Sequence, residues 1–536
     1  MHPLDTENKS RKYNPTRESL GALTHYVSQT ALIAELLKTD IDHALVMGEI
    51  PLISTHDHKL LPEGTRLIKI PEEIKHTIEE SEKKDIDQWN TPEKFLERIQ
   101  ATLTNPINSE ATSPVMRSLK SEGQIVSFDD LRTTSPSPEG KKRISRSQDA
   151  YPSLLNVPIM GQGRMPIMLG AVPDVASRES YRKAAQSGVM VTASRDKIWG
   201  DPKKQALLIG QVIDDLRTYP ITEMMTPTES DLIKFWEIQG RSSEEFKPEK
   251  AYKDYIDTLR NSWIKNVGAA IEASPKGIKR SELLLEKGCT MFRIYSPEGG
   301  HEIVETVDAL RKHPSFQKNS VNVIAGQIMD VKTARAAVNA GCDSIIIGVA
   351  GGSQCTTSIN ADIPVNTPNL LYDLREANLQ VPIGIEGGGV GSHMITALSL
   401  GAHYLSKPGE IGVSIAGSGK YVFEDPQKNW WVLYGGEASN SAKTWRPDSF
   451  DEQGRIRFPE GEGGVRMLCK GNGMFEPDNL SDRKSITRNI ERILYAISVG
   501  LVFQRVPDIK TLHARESILV DKVSPSAGEL SNPYAR

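Results

Sequence analysis

Between about residue 160 and residue 410, short and nearly continuous apolar runs alternate with stretches of helical spacing. The runs read MPIMLGAV, VMVTAS, VGAAIEA, TMFRIYS, VNVIAG, DSIIIGVA, VPIGIEGGG and HYLSKPG; SRESYRKAAQSG and PKKQALLIGQVIDDL are among the helical stretches between them. Strands with so little polar alternation must be covered on both faces, which is the signature of a parallel sheet whose crossover helices lie on its outside. About eight such repeats over this length fit a closed barrel better than an open sheet. The expected fold is therefore α/β, a (β/α)8 TIM barrel whose chemistry sits in the loops after the strand C-terminal ends. The glycine-rich segments fall at those positions.

The rest of the 536-residue chain limits the possible partners. It is 38% hydrophobic and 25% charged with a net charge of −4, so no basic excess argues for nucleic acid or an anionic membrane. Cys289, Cys342, Cys355 and Cys469 are too few and too scattered for a disulfide framework or a CxxC metal site, which fits a reducing compartment. The polar N-terminus lacks the apolar core of a signal peptide, and no apolar run reaches the roughly 18 residues of a membrane span. A cytoplasmic location is expected.

Residues 1–125 read as an additional N-terminal mixed α/β region. ALTHYVSQTALIAELLKT has helical spacing, EIPLIS and TRLIKI read as short strands, and the charged stretch after Pro71 gives way to a Ser/Thr/Asn/Pro-rich linker by Ser121. His56-Asp57-His58 is a candidate metal cluster, but without a third ligand at a recognised spacing a surface turn is the favoured reading. The barrel occupies 126–536, with one or two added helices at 227–263 and a long aperiodic stretch at 435–470 that reads as an active-site flap.

The segment richest in chemistry is DSIIIGVAGGSQCTTS, residues 343–358. A buried strand ends at Gly348, and the glycine-rich turn after it presents Ser353, Cys355 and Thr357 at the rim. Glycines let backbone approach a ligand closely or turn carbonyls toward a cation. A cysteine on such a loop becomes a nucleophile if local dipoles favour its thiolate; a lone cysteine would otherwise read as a small buried gap-filler.

GVAGGSQCTTS resembles the active-site loop of IMP dehydrogenases and GMP reductases, whose pattern is close to GxGxGSxC(I/T)T. The likeness extends over much of 126–536. SFDDLRTTSP resembles the family's TFDDVLL, IGIEGGGVGSHMITALSLGAHYLS its DGG strand and following helix, LYGGEAS its YRGMGS, FPEGEGGVRMLCKG its VPEGIEGRVPYKG, and RESILVDKVSPSAGELSNPY the dehydrogenase tail. The resemblance implies an NAD- or NADP-dependent oxidoreductase acting on a purine nucleotide, with Cys355 attacking C2 and Thr357 moving protons. It implies substrate contacts at Ser353, Glu386, Gly387, Gly388, Lys407, Gly409, Tyr434, Ala438 and Glu460. Cofactor contacts would be Tyr295, Ser296 and Gly299. A K+-type cation would sit on the carbonyls of Ala350, Gly352 and Cys355, and a homotetramer is implied. The usual tandem regulatory module would follow TEMMTPTE, where only the short helical stretch to about residue 263 stands.

The departures gather at the ligand positions. Glu386 replaces the ribose-binding Asp, Lys407-Pro408-Gly409 replaces MGS, Tyr295 replaces the nicotinamide-side Asp, and Gln327 replaces an Asn. Pro408 has no N–H for a phosphate, whereas Lys407 brings a charge. In the flap, Arg446 is the nearest counterpart of the dehydrogenase Arg, with Pro447 in place of its Tyr partner; Ser439 aligns with the reductase Glu, and Glu437 lies two residues earlier. An IMP dehydrogenase-like oxidation leads, with GMP reductase-like reductive deamination and a non-catalytic nucleotide-binding barrel as the alternatives.

Overall fold

The computed structural model describes residues 45–46, 61–62, 64–103, 128, 131, 143–172, 175, 177–195, 201–296, 299–348, 365–387, 392–418, 421–435, 463–469 and 484–514. The chain begins with strands β1 (Leu45–Val46) and β2 (Arg66–Lys69), helices α1 (Glu72–Trp89) and α2 (Pro92–Thr102), and a hairpin of β3 (Val157–Ile159) and β4 (Gln162–Arg164). The repeats follow: β5 (Ile167–Leu169), α3 (Arg178–Ser187), β6 (Met190–Ala193), α4 (Pro202–Thr218), then helices α5 (Glu229–Ile238) and α6 (Pro248–Ile264). Next come β7 (Val267–Glu272), α7 (Pro275–Glu286), β8 (Met291–Tyr295), α8 (Glu302–Lys312), β9 (Asn322–Ile328), α9 (Val331–Asn339) and β10 (Ser344–Ile347). Then follow α10 (Thr367–Glu376), β11 (Ile383–Glu386), α11 (Ser392–Leu400), β12 (Tyr404–Ser406) and the short α12 (Pro408–Gly412). Strands β13 (Tyr421–Glu424), β14 (Trp430–Gly435) and β15 (Gly463–Cys469) precede α13 (Ile486–Phe503) and α14 (Ile509–Ala514).

Strands β5 to β12 close into one parallel barrel, with β12 pairing back to β5. Each of the eight apolar runs supplies one barrel strand. Side chains alternating into the lumen, Met168, Met190, Met291, Ile324, Ile346 and Tyr404, form its inner core, and Ile159 and Met160 of the β3–β4 hairpin pack with them. The outward positions pack beneath the helices in a second, larger cluster. Helix starts follow local chemistry. Ser177 and Ser180 form a capping box at α3, and Asp201 accepts from the Lys203 amide just before Pro202 at the first position of α4.

The region before the barrel is built into it. Strand β2 pairs antiparallel with β13, in a sheet ordered β1-β2-β13-β14-β15. Ile86, Trp89, Phe95, Leu96 and Ile99 of α1 and α2 belong to the same core cluster as the barrel strands. Buried Glu82 of α1 meets Lys183 of α3 at 2.5 Å and accepts from the Ile486 amide of α13 at 2.6 Å. Helices α1 and α2 thus share a core with the barrel, and β2 shares a sheet with β13, β14 and β15 beside it. Within the stretch 435–470 that the sequence marks as a flap, residues 463–469 form β15 and pair with β14. EIPLIS, ALTHYVSQTALIAELLKT, His56-Asp57-His58 and 436–462 lie outside the described residues. Among the described residues no helix is long and apolar enough to cross a membrane, and no group of three His, Cys, Asp or Glu could hold a metal ion.

Candidate active site

The candidate site residues that are described lie at or shortly after the C-terminal ends of barrel strands, or on the sheet beside them. Glu386 is the last residue of β11, Tyr295 the last of β8, and Lys407 follows β12. Gly348 directly follows β10. It has φ +110, and a β-carbon there would lie 2.2 Å from the Glu386 carbonyl, so only glycine fits where this strand ends, seven positions before Cys355 in the sequence. Ser353, Cys355, Thr357, Ala350, Gly352, Gly388, Glu437, Ala438, Ser439, Arg446 and Glu460 lie outside the described residues. Burial pushes the Cys289 and Cys342 thiols up to about 12, which unsuits both as thiolate nucleophiles.

One group of polar side chains spans the rim from β8 to β11. Arg293, with no exposed surface, donates to Glu386 through both terminal nitrogens, Nη1 to Oε1 at 3.1 Å and Nη2 to Oε2 at 2.5 Å. Gln327 of β9 donates Nε2 to the same Oε2 at 2.7 Å. Burial works against the Arg293 charge, but the Glu386 carboxylate more than offsets it and holds the guanidinium above its ordinary range. Much of the accepting capacity of Glu386 is therefore committed to the barrel itself.

Tyr295 sits between two cations. The Arg293 guanidinium carbon lies 5.3 Å and that of Arg195, just past β6, 5.0 Å from its ring centroid. Ser296 is stitched to β9 by its backbone, its N–H donating to the Gly326 carbonyl at 3.1 Å, and the Gly299 N–H donates to the Ser296 carbonyl at 3.3 Å.

A second group forms where β12 leaves the barrel. Lys407 is buried and donates Nζ to the Gly387 carbonyl at 3.0 Å; burial lowers its ammonium from the ordinary range, with Glu410 partly compensating. Two residues on, a β-carbon at Gly409 would lie 2.3 Å from Arg466 Nη1 and 2.6 Å from the Tyr434 hydroxyl. The Arg466 guanidinium stands 4.2 Å over the Tyr434 ring. Lys407, Gly387, Gly409 and Tyr434, expected from separate stretches of sequence, are thus brought to one turn.

Sequence reasoning missed Arg195, Arg293, Arg466 and Ser406. The last is fully buried at the end of β12, its hydroxyl without a hydrogen-bond partner among the described residues. Arg293 carried a usable signal, because a charge inside the apolar run TMFRIYS demands a buried counter-charge. Arg466 carried none beyond a basic residue among glycines.

A model of the IMP dehydrogenase / GMP reductase domain matches residues 117–476, more than half of the chain. The chain belongs to that family. Its similarity to individual curated members is modest. It is 27% identical over 228 residues to the inosine-5'-monophosphate dehydrogenase of Aquifex aeolicus, covering 41% of this chain and 44% of that protein. With the inosine-5'-monophosphate dehydrogenase of Halalkalibacterium halodurans it is 30% identical over 212 residues, 38% of this chain and 42% of the other. The GMP reductase of Leishmania donovani is 28% identical over 212 residues, 38% of this chain and 42% of that protein. The chain spans less than half the length of these curated relatives, and within the family it is a distant member.

Proposed function

We propose that this family member is a nicotinamide-dependent oxidoreductase that acts on a purine nucleotide through a covalent adduct on Cys355. The observation that carries the reading is the pairing of two polar groups at the catalytic rim. The turn of Lys407, Gly409 and Tyr434 suits an anionic group, and the Arg293–Glu386–Gln327 network suits a hydroxylated sugar. A nucleoside monophosphate carries both kinds of group, an anionic phosphate and a hydroxylated sugar.

In the oxidative direction the Cys355 thiolate adds to C2 of the purine, hydride leaves C2, and water then cleaves the carbon–sulfur bond to return the thiol and give the 2-oxo product. Thr357 and Arg446 would handle the protons. A nicotinamide cofactor supplies the hydride acceptor when bound. Tyr295, Ser296 and Gly299, with Arg195 beside them, fit its side of the rim by offering an aromatic ring and a cation. Fixing the nucleotide beside the sulfur replaces an encounter with an effectively intramolecular step. The carbonyls of Ala350, Gly352 and Cys355 would hold a monovalent cation, and a homotetramer is the assembly proposed. Similarity to a GMP reductase supports the second reading, in which the adduct loses ammonia, C2 receives hydride and the carbon–sulfur bond then breaks to release the thiolate, with Glu437 the candidate acid–base group.

The test follows nicotinamide absorbance with IMP and NAD+, and separately with GMP and NADPH. Turnover in the first pair is expected; turnover in the second alone assigns the reductase, and turnover in neither sinks both readings. Cys355→Ala should abolish turnover while nucleotide affinity stays within about tenfold, roughly 1.4 kcal/mol. Retained activity in that variant would remove the covalent route.

A further inference from the structure

We propose that Arg466 determines specificity for the phosphate of the ligand, acting with Lys407 as a two-cation cradle around the turn at 407–409. The inference rests on the purine monophosphate reading and adds a residue that neither the motif comparison nor the spacing of the sequence points to.

Arg466 is placed by strand pairing. In the β14–β15 ladder it stands opposite Val432, while Tyr434 stands opposite Gly464, so Arg466 and Tyr434 are diagonal neighbours on one face of the hairpin. Glycine opposite Tyr434 leaves that diagonal open, and the guanidinium fills it by stacking on the ring. A stacked, planar guanidinium is already oriented, so less freedom is lost when it grips an oxygen pair than with a free lysine. Its Nη1 and the Tyr434 hydroxyl both abut Gly409, where any β-carbon would displace them. Lys407 flanks the same turn and is tied to Gly387.

The chemistry of the turn explains the need for charge. Pro408, between the two, cannot donate an N–H, so backbone amides cannot encircle a phosphate here as fully as a glycine-serine turn would. Two fixed cations and a phenol compensate for that lost donor with charge-assisted bonds, which are stronger than amide bonds to the same oxygens. The ligand class is a phosphate monoester dianion. A neutral nucleoside gains nothing from Arg466.

The experiment titrates the full-length protein, wild type and Arg466→Ala, with IMP, GMP, inosine, guanosine and inorganic phosphate by calorimetry. Arg466→Ala should weaken the monophosphates by about tenfold or more and leave the nucleosides unchanged. Arg466→Lys should recover part of the loss, and the salt dependence of monophosphate binding should flatten in Arg466→Ala. Unchanged monophosphate affinity, or an equal loss for nucleoside and monophosphate, overturns the proposal. Arg466→Gln, close in shape but uncharged, gives the same readout should Arg466→Ala unfold, as monitored by circular dichroism. Wild-type protein that binds phosphate through Arg466 but no purine monophosphate would sink the purine reading and leave the anion cradle standing. Wild-type protein that binds neither would sink both.

Discussion

A guanidinium with no exposed surface must find its counter-charge inside the protein, and Arg293 finds it across the mouth of the barrel in Glu386. Removing one partner of a buried pair strands the other charge, which typically costs about 3–5 kcal/mol, whereas an apolar replacement of both is close to neutral. Arg293→Met should therefore lower unfolding free energy by about that amount in urea titrations, and Arg293→Met with Glu386→Leu should recover most of it. A single-variant loss below about 1 kcal/mol would mean that solvent shields the pair. At this scale the sequence was only half legible. Glu386 could be picked out by its place beside two glycines, but its partner lies 93 positions away and no local pattern joins them.

The elements before the barrel show how helices not belonging to the repeat are anchored. Asn90, fully buried between α1 and α2, donates to the Ile86 carbonyl at 2.8 Å and the Gln186 carbonyl at 2.9 Å. Its side-chain oxygen accepts from Trp263 Nε1 of α6 at 2.8 Å and from Arg98 Nη1 at 3.2 Å. One amide thus ties the interhelical turn to α3 and α6. Asn90→Ala leaves several buried groups unpaired at about 1–3 kcal/mol each, so a loss of at least about 2 kcal/mol in chemical denaturation is expected. Phe95, buried and edge-on to Tyr255 with centroids 5.0 Å apart, should cost about 3–5 kcal/mol as Phe95→Ala. Near-neutral values for both would mean that α1 and α2 merely rest on the barrel. The stretch of α1 and α2 read only as a charged segment giving way to linker, whereas amphipathic spacing made α5 and α6 visible in the sequence. It could not say what their apolar faces cover.

Over the whole molecule, the eight barrel strands were readable because burial on both faces writes them as apolar runs. The five-stranded sheet was not. GGVRMLC hides β15 among glycines, and the partners β2 and β13 are separated by most of the chain. The far end of the chain is also pinned by an acid-sensitive contact. His403 is half-buried and His513 buried, with ring centroids 4.8 Å apart; His403 Nδ1 accepts from the Ile383 amide at 3.1 Å, and His513 Nε2 lies 2.9 Å from the Ala402 carbonyl. Burial, then the nearby Arg375 charge, pushes the His403 imidazole down to about 4; burial and then His403 depress His513 well below its ordinary value. Both rings are therefore neutral in the folded protein and protonate first in the unfolded chain. Their contribution is complete above about pH 6.5 and is lost as pH falls toward 4, by up to about 1.4 kcal/mol per pH unit for each proton. The thermal midpoint should drop between pH 7 and pH 5, and His403→Asn should flatten that slope by about one proton. An unaltered slope would show that other groups govern acid unfolding.

The position of β2 in its sheet sets an order of events during synthesis. Arg66 of β2 bonds Glu424 of β13 across 358 residues, and Glu82 receives the Ile486 amide across 404. At about 5–20 residues per second a nascent chain waits tens of seconds between making one half of each contact and making the other. During that interval α3 and α6 come to hold the first two helices, but β2 lacks its partner strand and Glu82 its amide donor until the final third of the chain emerges.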